Sequence, residues 1–237
     1  MRLRPRKKAK RLVRPRPGRG GPRRLPPDER AQLIAKAAVR FFAEYGFEGQ
    51  TRELARRLGI TQPLLYRYFP SKEALIERVY QEVFAGVWKP QWETLLEDRR
   101  LPLRERLLRF YHEYTDAMLT YEWVRLFMFS GLKGLDFNAR YLTFLREAVF
   151  SRVVAELRHA YGRPSPAELP IAEAEVEIVW SLHAGLFYLG VRRWIYGLPI
   201  PDDIGRVVAE RVTAFLDGAP ALIARAEPPV RRAAEGR

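Results

Sequence analysis

Residues 61–72 read TQPLLYRYFPSK, and this stretch decides the fold. Two residues before it stands Gly59, which can take the positive φ that ends a helix. Thr61 can accept hydrogen bonds from the first free N–H groups of a new helix, and Pro63 suits an early helical position that needs no N–H donor. The pattern therefore predicts two short helices joined by a tight turn, a helix-turn-helix.

One face of the second of these helices is apolar. With about 100° between successive residues, Leu65 and Phe69 fall close together, and Leu54 and Leu58 of the preceding helix can meet them. Ile60 would fill the angle between the two helices. We expect this face to be packed, which leaves the opposite face free to contact something else.

The opposite face combines side chains that make a poor water-facing surface. Pro63 and Arg67 lie at its centre, with Leu64 and Tyr66 on the flanks. In a DNA groove, arginine pairs with guanine or phosphate, tyrosine donates to phosphate, and leucine or proline contacts a thymine methyl group. Gln62, at the helix start, has the amide geometry that pairs with adenine. The pattern favours a helix that reads double-stranded DNA.

Residues 30–80 resemble the DNA-binding domain of the tetracycline-repressor (TetR) family of transcriptional regulators. The resemblance rests on Ala38-x-x-x-Phe42-x-x-x-Gly46-Phe47, Leu54-Ala55, Leu58-Gly59-Ile60-Thr61 and Leu65-Tyr66-Arg67-Tyr68-Phe69-Pro70-Ser71-Lys72-Glu73-Ala74-Leu75. The closing stretch of this pattern is the most specific part. The Gln62-Pro63 start of the recognition helix is similar to the tetracycline-repressor branch itself.

The resemblance implies a set of DNA-contacting residues. The residues expected to face the groove are Gln62, Pro63, Tyr66 and Arg67. The residues expected to bind phosphates are Thr51, Tyr68 and Lys72, and Arg52 is expected to read guanine. The set also includes Thr61 and Leu64. Two departures from the family are Gln50-Thr51, where two threonines are usual, and Leu64, where a smaller residue is usual. Tyr66 and Tyr68 can alternatively lie partly in the core, and Arg52 can be a solvated helix residue.

Positive charge is concentrated at the start of the chain. The net charge is +14, and residues 1–27 contain 12 Lys or Arg and no acidic residue, whereas residues 73–237 are nearly balanced. A segment so rich in Arg, Pro and Gly cannot bury enough apolar surface to order itself. We expect residues 1–27 to be a solvated, disordered arm, or an arm that lies along DNA or reaches its minor groove.

Apolar residues recur at helical spacing through the rest of the chain, and no alternating pattern favours strands. The first helix is predicted from Asp28, as its cap, to about Tyr45, and a fourth helix from Ser71 to about Lys89. Further helices are predicted over roughly 102–120, 122–132, 138–161, 171–196 and 203–217.

The expected fold is all-α, with an N-terminal three-helix helix-turn-helix DNA-binding domain and a larger helical ligand-binding and dimerisation domain. The predicted boundaries are 1–27 for the basic arm, 28–73 for the DNA-binding domain, 74–217 for the effector-binding and dimerisation domain, and 218–237 for a frayed tail.

The family uses the part after the third helix for ligand sensing and dimerisation. Here that part is rich in aromatic rings, most of which we expect in the core, and its few polar groups are compatible with a cavity for a small apolar or aromatic effector. The predicted ligand-binding residues are Tyr114, Trp123, Phe127, Tyr141, Trp180, His183, Phe187 and Tyr188. Tyr114, His183 and Tyr188 carry the polar groups best suited to orient the effector.

Apolar stripes on the last two long helices predict a homodimer. The stripes are Leu182, Leu186 and Leu189 on one helix and Ile204, Val208, Val212 and Phe215 on the other. They can serve both the core and a four-helix interface between two copies of the chain.

Several classes of site are not expected. The absence of cysteine removes disulfides and thiolate sites, and the longest nearly unbroken apolar run, Ala184 to Val191, is too short to cross a membrane. His112 and Asp116 have the spacing of a metal pair, but two ligands do not make a site. No nucleophile, base and acid are arranged for catalysis. We expect a cytoplasmic protein that is not an enzyme and carries neither cofactor nor metal.

The sequence thus predicts a sequence-specific DNA-binding regulator, a repressor that a small effector releases from a palindromic operator. The alternative is a ligand-independent architectural, nucleoid-associated protein whose basic arm dominates DNA binding.

Overall fold

The computed structural model describes residues 26–226, so most of the predicted basic arm and the end of the predicted tail lie outside the described residues. Within that range the chain is all-helical without a β-strand, as the sequence predicts. The N-terminal part, called the head below, contains α1 (Pro27–Tyr45), α2 (Thr51–Arg57), α3 (Gln62–Tyr68) and α4 (Lys72–Tyr80). The larger part, called the sensor below, contains α5 (Gln91–Glu97), α6 (Leu103–Met118), α7 (Tyr121–Lys133), α8 (Phe137–Leu145), α9 (Ser151–Ala160), α10 (Glu173–Trp194) and α11 (Ile204–Ala226).

The turn between α2 and α3 has the predicted chemistry. Gly59 has a φ of 64°, which only glycine adopts at low cost. The Thr61 hydroxyl accepts a hydrogen bond from the backbone N–H of Leu64 at 3.3 Å, and the Ser71 hydroxyl accepts one from Ala74 at 3.1 Å. These caps fix where α3 and α4 begin, and the helix-turn-helix is confirmed.

The start of α1 differs from the prediction. Pro26 occupies the N-cap position and Pro27 the first helical position, and Asp28 lies in the first turn without capping the helix through its side chain. Proline suits that first position because its missing N–H has no partner there in any case. The carboxylate of Asp28 instead stabilises the positive end of the helix dipole.

Two long predicted helices are interrupted by π-helical turns. α4 is regular only to Tyr80 and continues as a π-helical segment, Gln81–Ala85, which closes where the N–H of Gly86 donates to the carbonyl of Gln81 at 2.7 Å. A second π-helical segment, Arg146–Phe150, joins α8 to α9. The short helix α5 was not predicted, because seven residues are too few for a periodic apolar pattern.

The last helix continues past the predicted end at residue 217. α11 reaches Ala226, and residues 218–226, predicted as part of a frayed tail, are helical. Pro220 lies inside this helix and cannot donate to the carbonyl of Leu216. The hydroxyl of Tyr161 donates to that carbonyl at 3.0 Å instead. Ala219 and Ile223 are buried, so packing holds this end in place.

One continuous core links the head to the sensor. α1 packs on both α4 and α7. The rings of Phe47 and Phe137 meet edge to face with 5.7 Å between their centroids, and Arg140 of α8 forms two hydrogen bonds to the carboxylate of Glu77 at 2.9 and 3.0 Å. The orientation of the head is therefore set by direct contacts with the sensor, and the predicted boundary at residues 73 and 74 remains a prediction.

The predicted apolar stripes of α10 and α11 mostly serve the core of a single chain. Leu182, Leu186 and Leu189 are buried, and so are Val208 and Val212. The large apolar side chains that remain exposed in this part are Tyr188, Tyr196, Leu198 and Leu222. None of the helices between residues 26 and 226 is long and apolar enough to cross a membrane.

Candidate DNA-binding surface and sensor cavity

Helix α3 is anchored by one face and presents the other. Leu65 is fully buried, and Phe69 at the helix end is buried as well. On the opposite face Pro63 and Arg67 are exposed and Leu64 is half-buried. This matches the predicted division between a packed face and a face available to DNA.

A hydrogen-bonded group at the base of α3 was not predicted. Thr51, predicted to hold a phosphate, is only 5% exposed. Its hydroxyl accepts from the Nε2 of Gln62 at 3.0 Å and shares a hydrogen bond of 2.8 Å with the hydroxyl of Tyr66. Thr51 therefore positions the side chains of Gln62 and Tyr66, which are predicted to face the groove, and the phosphate contact of Thr51 remains a prediction.

Tyr66 and Tyr68 are each half-buried and pack partly against the core. Their rings contribute to packing, as the alternative interpretation predicts, while part of each side chain stays accessible. Their contacts with DNA remain predictions.

The cations of the head fall into two groups. Arg56 and Arg57 both pair with Glu53, and their hydrogen bonds lower the pKa of that carboxyl to about 2. Arg52 and Arg67 are exposed and Lys72 is half-buried, and none of the three forms an ion pair with an acidic side chain of residues 26–226. These cations leave the predicted DNA-binding surface with uncompensated positive charge, which favours a polyanion.

The sensor contains a small cavity among α6, α7 and α10. Its volume is about 10 Å³, and its lining is Tyr114, Thr115, Met118, Leu119, Trp123, His183, Leu186 and Phe187. Four of the eight predicted ligand-binding residues are in this lining. The lining residues Thr115, Met118, Leu119 and Leu186 were not predicted, because small and aliphatic side chains carry no signal in the sequence that separates a cavity wall from a core.

The other predicted ligand-binding residues lie elsewhere. Phe127 stacks on Trp123, Tyr141 bonds to Tyr114, and Trp180 packs near His183, so these three rings lie behind the cavity wall. Tyr188 is 51% exposed on the outer side of α10, and its prediction as a cavity residue is wrong. Leu186 and Leu189 of the same helix face the interior, so the side chain of Tyr188 lies on the opposite side of the helix.

A chain of hydrogen bonds crosses the cavity wall. The hydroxyl of Tyr141 donates to the sulfur of Met118 at 3.6 Å, the hydroxyls of Tyr114 and Tyr141 are 2.8 Å apart, and the Tyr114 hydroxyl is 3.4 Å from Nε2 of His183. Burial raises the pKa of Tyr114 well above its usual value and lowers the pKa of His183 to about 3. All of these groups are therefore neutral at neutral pH.

Two buried nitrogen atoms of residues that line the cavity have no partner among the described residues. They are Nε1 of Trp123, which is 3% exposed, and Nδ1 of His183, which is 6% exposed. Buried polar atoms without a hydrogen bond are uncommon and costly.

A larger groove lies on the other side of Trp123. It has a volume of about 320 Å³ between α1, the π-helical segment after α4, and the α6–α7 junction. The lining residues are Lys36, Val39, Arg40, Glu82, Val83, Val87, Ala117, Thr120, Glu122 and Trp123. The indole of Trp123 thus belongs to the walls of both spaces.

Arg125 of α7 ties two helix ends together. Its Nε donates to the carbonyl of Ala43 at 2.5 Å and its Nη2 to the carbonyl of Glu44 at 3.3 Å, both in the last turn of α1. Its Nη1 donates to the carbonyl of Trp194, the last residue of α10, at 3.3 Å. A cation at two helix C-termini satisfies carbonyls that lack helical partners and stabilises both dipoles.

No three His, Asp or Glu side chains within residues 26–226 are grouped to hold a metal ion. His112 lies beside Gly205, where its ring approaches the start of α11.

Comparison with known proteins, like the geometry, indicates a helix-turn-helix DNA-binding domain. Residues 34–79 match the family described as "Bacterial regulatory proteins, tetR family". The tetracycline repressor protein class D of Escherichia coli is 32% identical over 87 residues, which are 33% of this chain and 40% of that protein. A class A tetracycline repressor, from transposon 1721 of Escherichia coli, is 29% identical over 126 residues, 50% of this chain and 55% of that protein. The chain thus matches about half the length of these curated relatives or less.

Solved structures extend the likeness to the sensor at the level of the fold. A TetR-like transcriptional regulator from Rhodococcus sp. RHA1 superposes with a TM-score of 0.62 at 20% identity, covering 82% of this chain and 100% of that one. A TetR-family regulator from Streptomyces coelicolor has a TM-score of 0.56 at 22% identity, covering 85% and 90%. Residues 34–79 therefore match the helix-turn-helix domain of tetR-family bacterial regulatory proteins, and the chain as a whole shares the fold of solved TetR-family structures.

Proposed function

We propose that this protein is a cytoplasmic homodimeric repressor that binds a palindromic DNA operator and is released from it by a small apolar or aromatic effector. The observation that carries the DNA-binding part is the free face of α3. This face combines the exposed Pro63 and Arg67 with Tyr66 and Gln62, which Thr51 holds in place. Pre-positioned side chains at a groove raise affinity because less freedom is lost on binding.

Dimerisation determines how long a DNA sequence this surface can read. Two recognition helices about 34–36 Å apart read two half-sites on one face of the duplex. The exposed apolar side chains around α10 and α11, among them Tyr188 and Leu222, support an interface between two copies there. A two-fold interface would make the operator an inverted repeat.

Release by an effector follows from linkage between two sites. Helix α4 connects the head to the sensor, and the cavity and groove lie close to the segment that continues it. An effector that stabilises one orientation of the head changes the separation of the two recognition helices. DNA and effector then weaken each other's binding by the same factor.

The DNA-binding role is tested by Arg67→Ala. Loss of a groove-facing arginine is expected to cost about 1–3 kcal/mol of binding free energy, measured by fluorescence anisotropy with a duplex selected by the native protein. Arg109→Ala is the matched control, because Arg109 is an exposed arginine of α6 that pairs with Glu105. Equal affinities of the Arg67→Ala variant and the control would contradict the proposed role of α3.

The runner-up function is a ligand-independent architectural protein. The 12 Lys or Arg in residues 1–27 favour it, because phosphate contacts alone provide nonspecific affinity. In that case the discrimination between DNA sequences would disappear when residues 1–25 are removed. In a repressor that reads bases with α3, removal would lower general affinity and leave the sequence preference intact.

A further inference from the structure

We infer that the sensor cavity takes an uncharged aromatic group with a hydrogen-bond donor and an acceptor, and that the molecule carrying this group extends into the groove beside α1. The inference rests on the proposed effector-responsive function and names the chemical class of the effector. Three observations carry it: the absence of charge in the cavity lining, two unpartnered nitrogen atoms, and the position of Trp123 between two spaces.

The cavity lining excludes a charged ligand group. All of its residues are uncharged at neutral pH, including His183, which is buried among Tyr111, Phe150 and Trp180. The other polar groups of the lining are the hydroxyls of Tyr114 and Thr115 and the indole of Trp123, none of which carries a charge. A carboxylate or ammonium group enclosed here would lose its hydration without gaining an opposite charge.

The hydrogen-bond directions define what the ligand must offer. Because the hydroxyl of Tyr141 donates to Met118, that of Tyr114 donates to Tyr141, and the Nε2–H of His183 is left to donate to Tyr114. In this tautomer, which the network assigns, Nδ1 of His183 is an acceptor. The ligand must therefore donate to His183.

Trp123 requires a hydrogen-bond acceptor on the ligand, whereas His183 requires a donor. Its Nε1–H can only donate, and it has no acceptor among residues 26–226. A ligand that supplies an acceptor to Trp123 and a donor to His183 would satisfy both buried atoms. A hydroxyl group on an aromatic ring can act as donor and acceptor.

The space for an aromatic ring comes from joining the cavity to the groove. A cavity of about 10 Å³ has room for about one water molecule, whereas the groove offers about 320 Å³. Because Trp123 lies in the walls of both spaces, an occupant that displaces the indole while keeping its Nε1–H within reach would connect the two. The occupant would then contact Val39 of α1 together with Val83 and Val87 beyond α4, so that binding acts on the head directly.

The charge and polarity of the ligand are tested with four simple probes. Phenol, toluene, benzoate and benzylamine are titrated into the full-length protein by isothermal titration calorimetry. We expect phenol to bind, toluene to bind about tenfold more weakly, and the two ions to bind more weakly still. No binding of phenol, or equal binding of benzoate or benzylamine, would overturn the inference.

The two nitrogen atoms are tested by substitution. Trp123→Phe and His183→Leu should each weaken the binding of phenol about tenfold and leave the binding of toluene unchanged. Toluene binding therefore also reports an intact fold. Trp88→Phe is the control for loss of an indole, because Trp88 donates to Glu93 outside the cavity. Ala117→Phe, which fills the groove, should reduce phenol and toluene binding together. Phenol affinity that is unchanged in the first two variants would also overturn the inference.

The same preparations separate this inference from the proposed function. DNA binding is measured without any probe and again with phenol at saturation. Specific DNA binding without phenol binding would reject the inference and leave a DNA-binding regulator. Loss of specific DNA binding in the native protein would reject the proposed function itself.

Discussion

Thr51 organises the DNA-binding surface from a buried position. Its hydroxyl bonds to Gln62 and Tyr66, two side chains that belong to a different helix. The family resemblance implies a phosphate contact for Thr51, and nothing in the sequence signals a hydrogen bond across 15 residues to Tyr66. The structure therefore adds a positioning role that residue patterns alone do not contain.

Thr51→Val tests that role because it keeps the shape and removes the hydroxyl. We expect a loss of stability of about 1 kcal/mol and weaker DNA binding, since the hydroxyl of Tyr66 and the amide of Gln62 lose their partner. Tyr66→Phe removes the other end of the same bond. In a double-mutant cycle measured by urea denaturation, the two changes should be less than additive. Strict additivity would show that the hydrogen bond contributes no coupling.

His183 gives the stability a pH dependence. Burial lowers its pKa in the folded protein to about 3, against 6.5 for an ordinary histidine. Between those values the unfolded chain binds more protons than the folded chain. The free energy of unfolding contributed by this residue is therefore complete above about pH 6.5 and falls as the pH drops, by up to about 1.4 kcal/mol per pH unit.

His183→Leu should remove this contribution. In urea denaturation between pH 7 and pH 5, the variant is expected to lose less stability than the native protein. His159→Gln is the control, since His159 is exposed and its substitution should leave the slope unchanged. Identical slopes for His183→Leu and the native protein would contradict the assignment of a neutral, buried imidazole.

At the scale of the elements, Arg125 connects α1 of the head with α10 of the sensor. It lies on α7 and bonds to the last turns of α1 and α10, and its guanidinium also lies over the rings of Tyr121 and Phe129. α1 belongs to the head, and α10 carries the exposed Tyr188 of the proposed dimer face. A change in α10 can therefore reach the head through a single side chain.

Arg125→Met should loosen the head without disrupting the fold. Loss of the three carbonyl contacts is expected to cost about 1–3 kcal/mol, to speed hydrogen exchange in the last turn of α1, and to weaken DNA binding. Arg109→Met removes an exposed arginine that pairs with Glu105 on α6, and this control variant should behave like the native protein. Unchanged exchange at Ala43 and Glu44 in Arg125→Met would show that the head is held by other contacts.

The sequence predicts the elements unevenly, for physical reasons. The helix-turn-helix is predicted in detail because its turn depends on local chemistry, a glycine with positive φ and two hydroxyl caps. The end of α11 is missed because Gly218 and the Ala/Pro/Arg-rich residues after it indicate a helix end locally. Tyr161, from a distant part of the chain, replaces the donor that Pro220 lacks. The π-helical turns are missed because they keep the apolar spacing of a helix.

At the scale of the whole molecule, the head and the sensor share one core. Phe47 and Phe137 meet across them, and Arg140 bonds to Glu77 over the ring of Tyr80. The candidate cavity is only partly foreseen, because aromatic richness indicates a core or a pocket equally well. Its aliphatic lining and its closeness to the groove beside α1 depend on packing that only the folded chain provides.

The central claim is that two copies of α3 read a two-fold symmetric DNA sequence. Selection of duplexes from a random pool by the purified full-length protein tests it most directly. We expect enrichment of an inverted repeat with half-site centres about one helical turn apart, and the same repeat when residues 1–25 are removed. Enrichment of no sequence, or of a sequence that disappears with those residues, would contradict it.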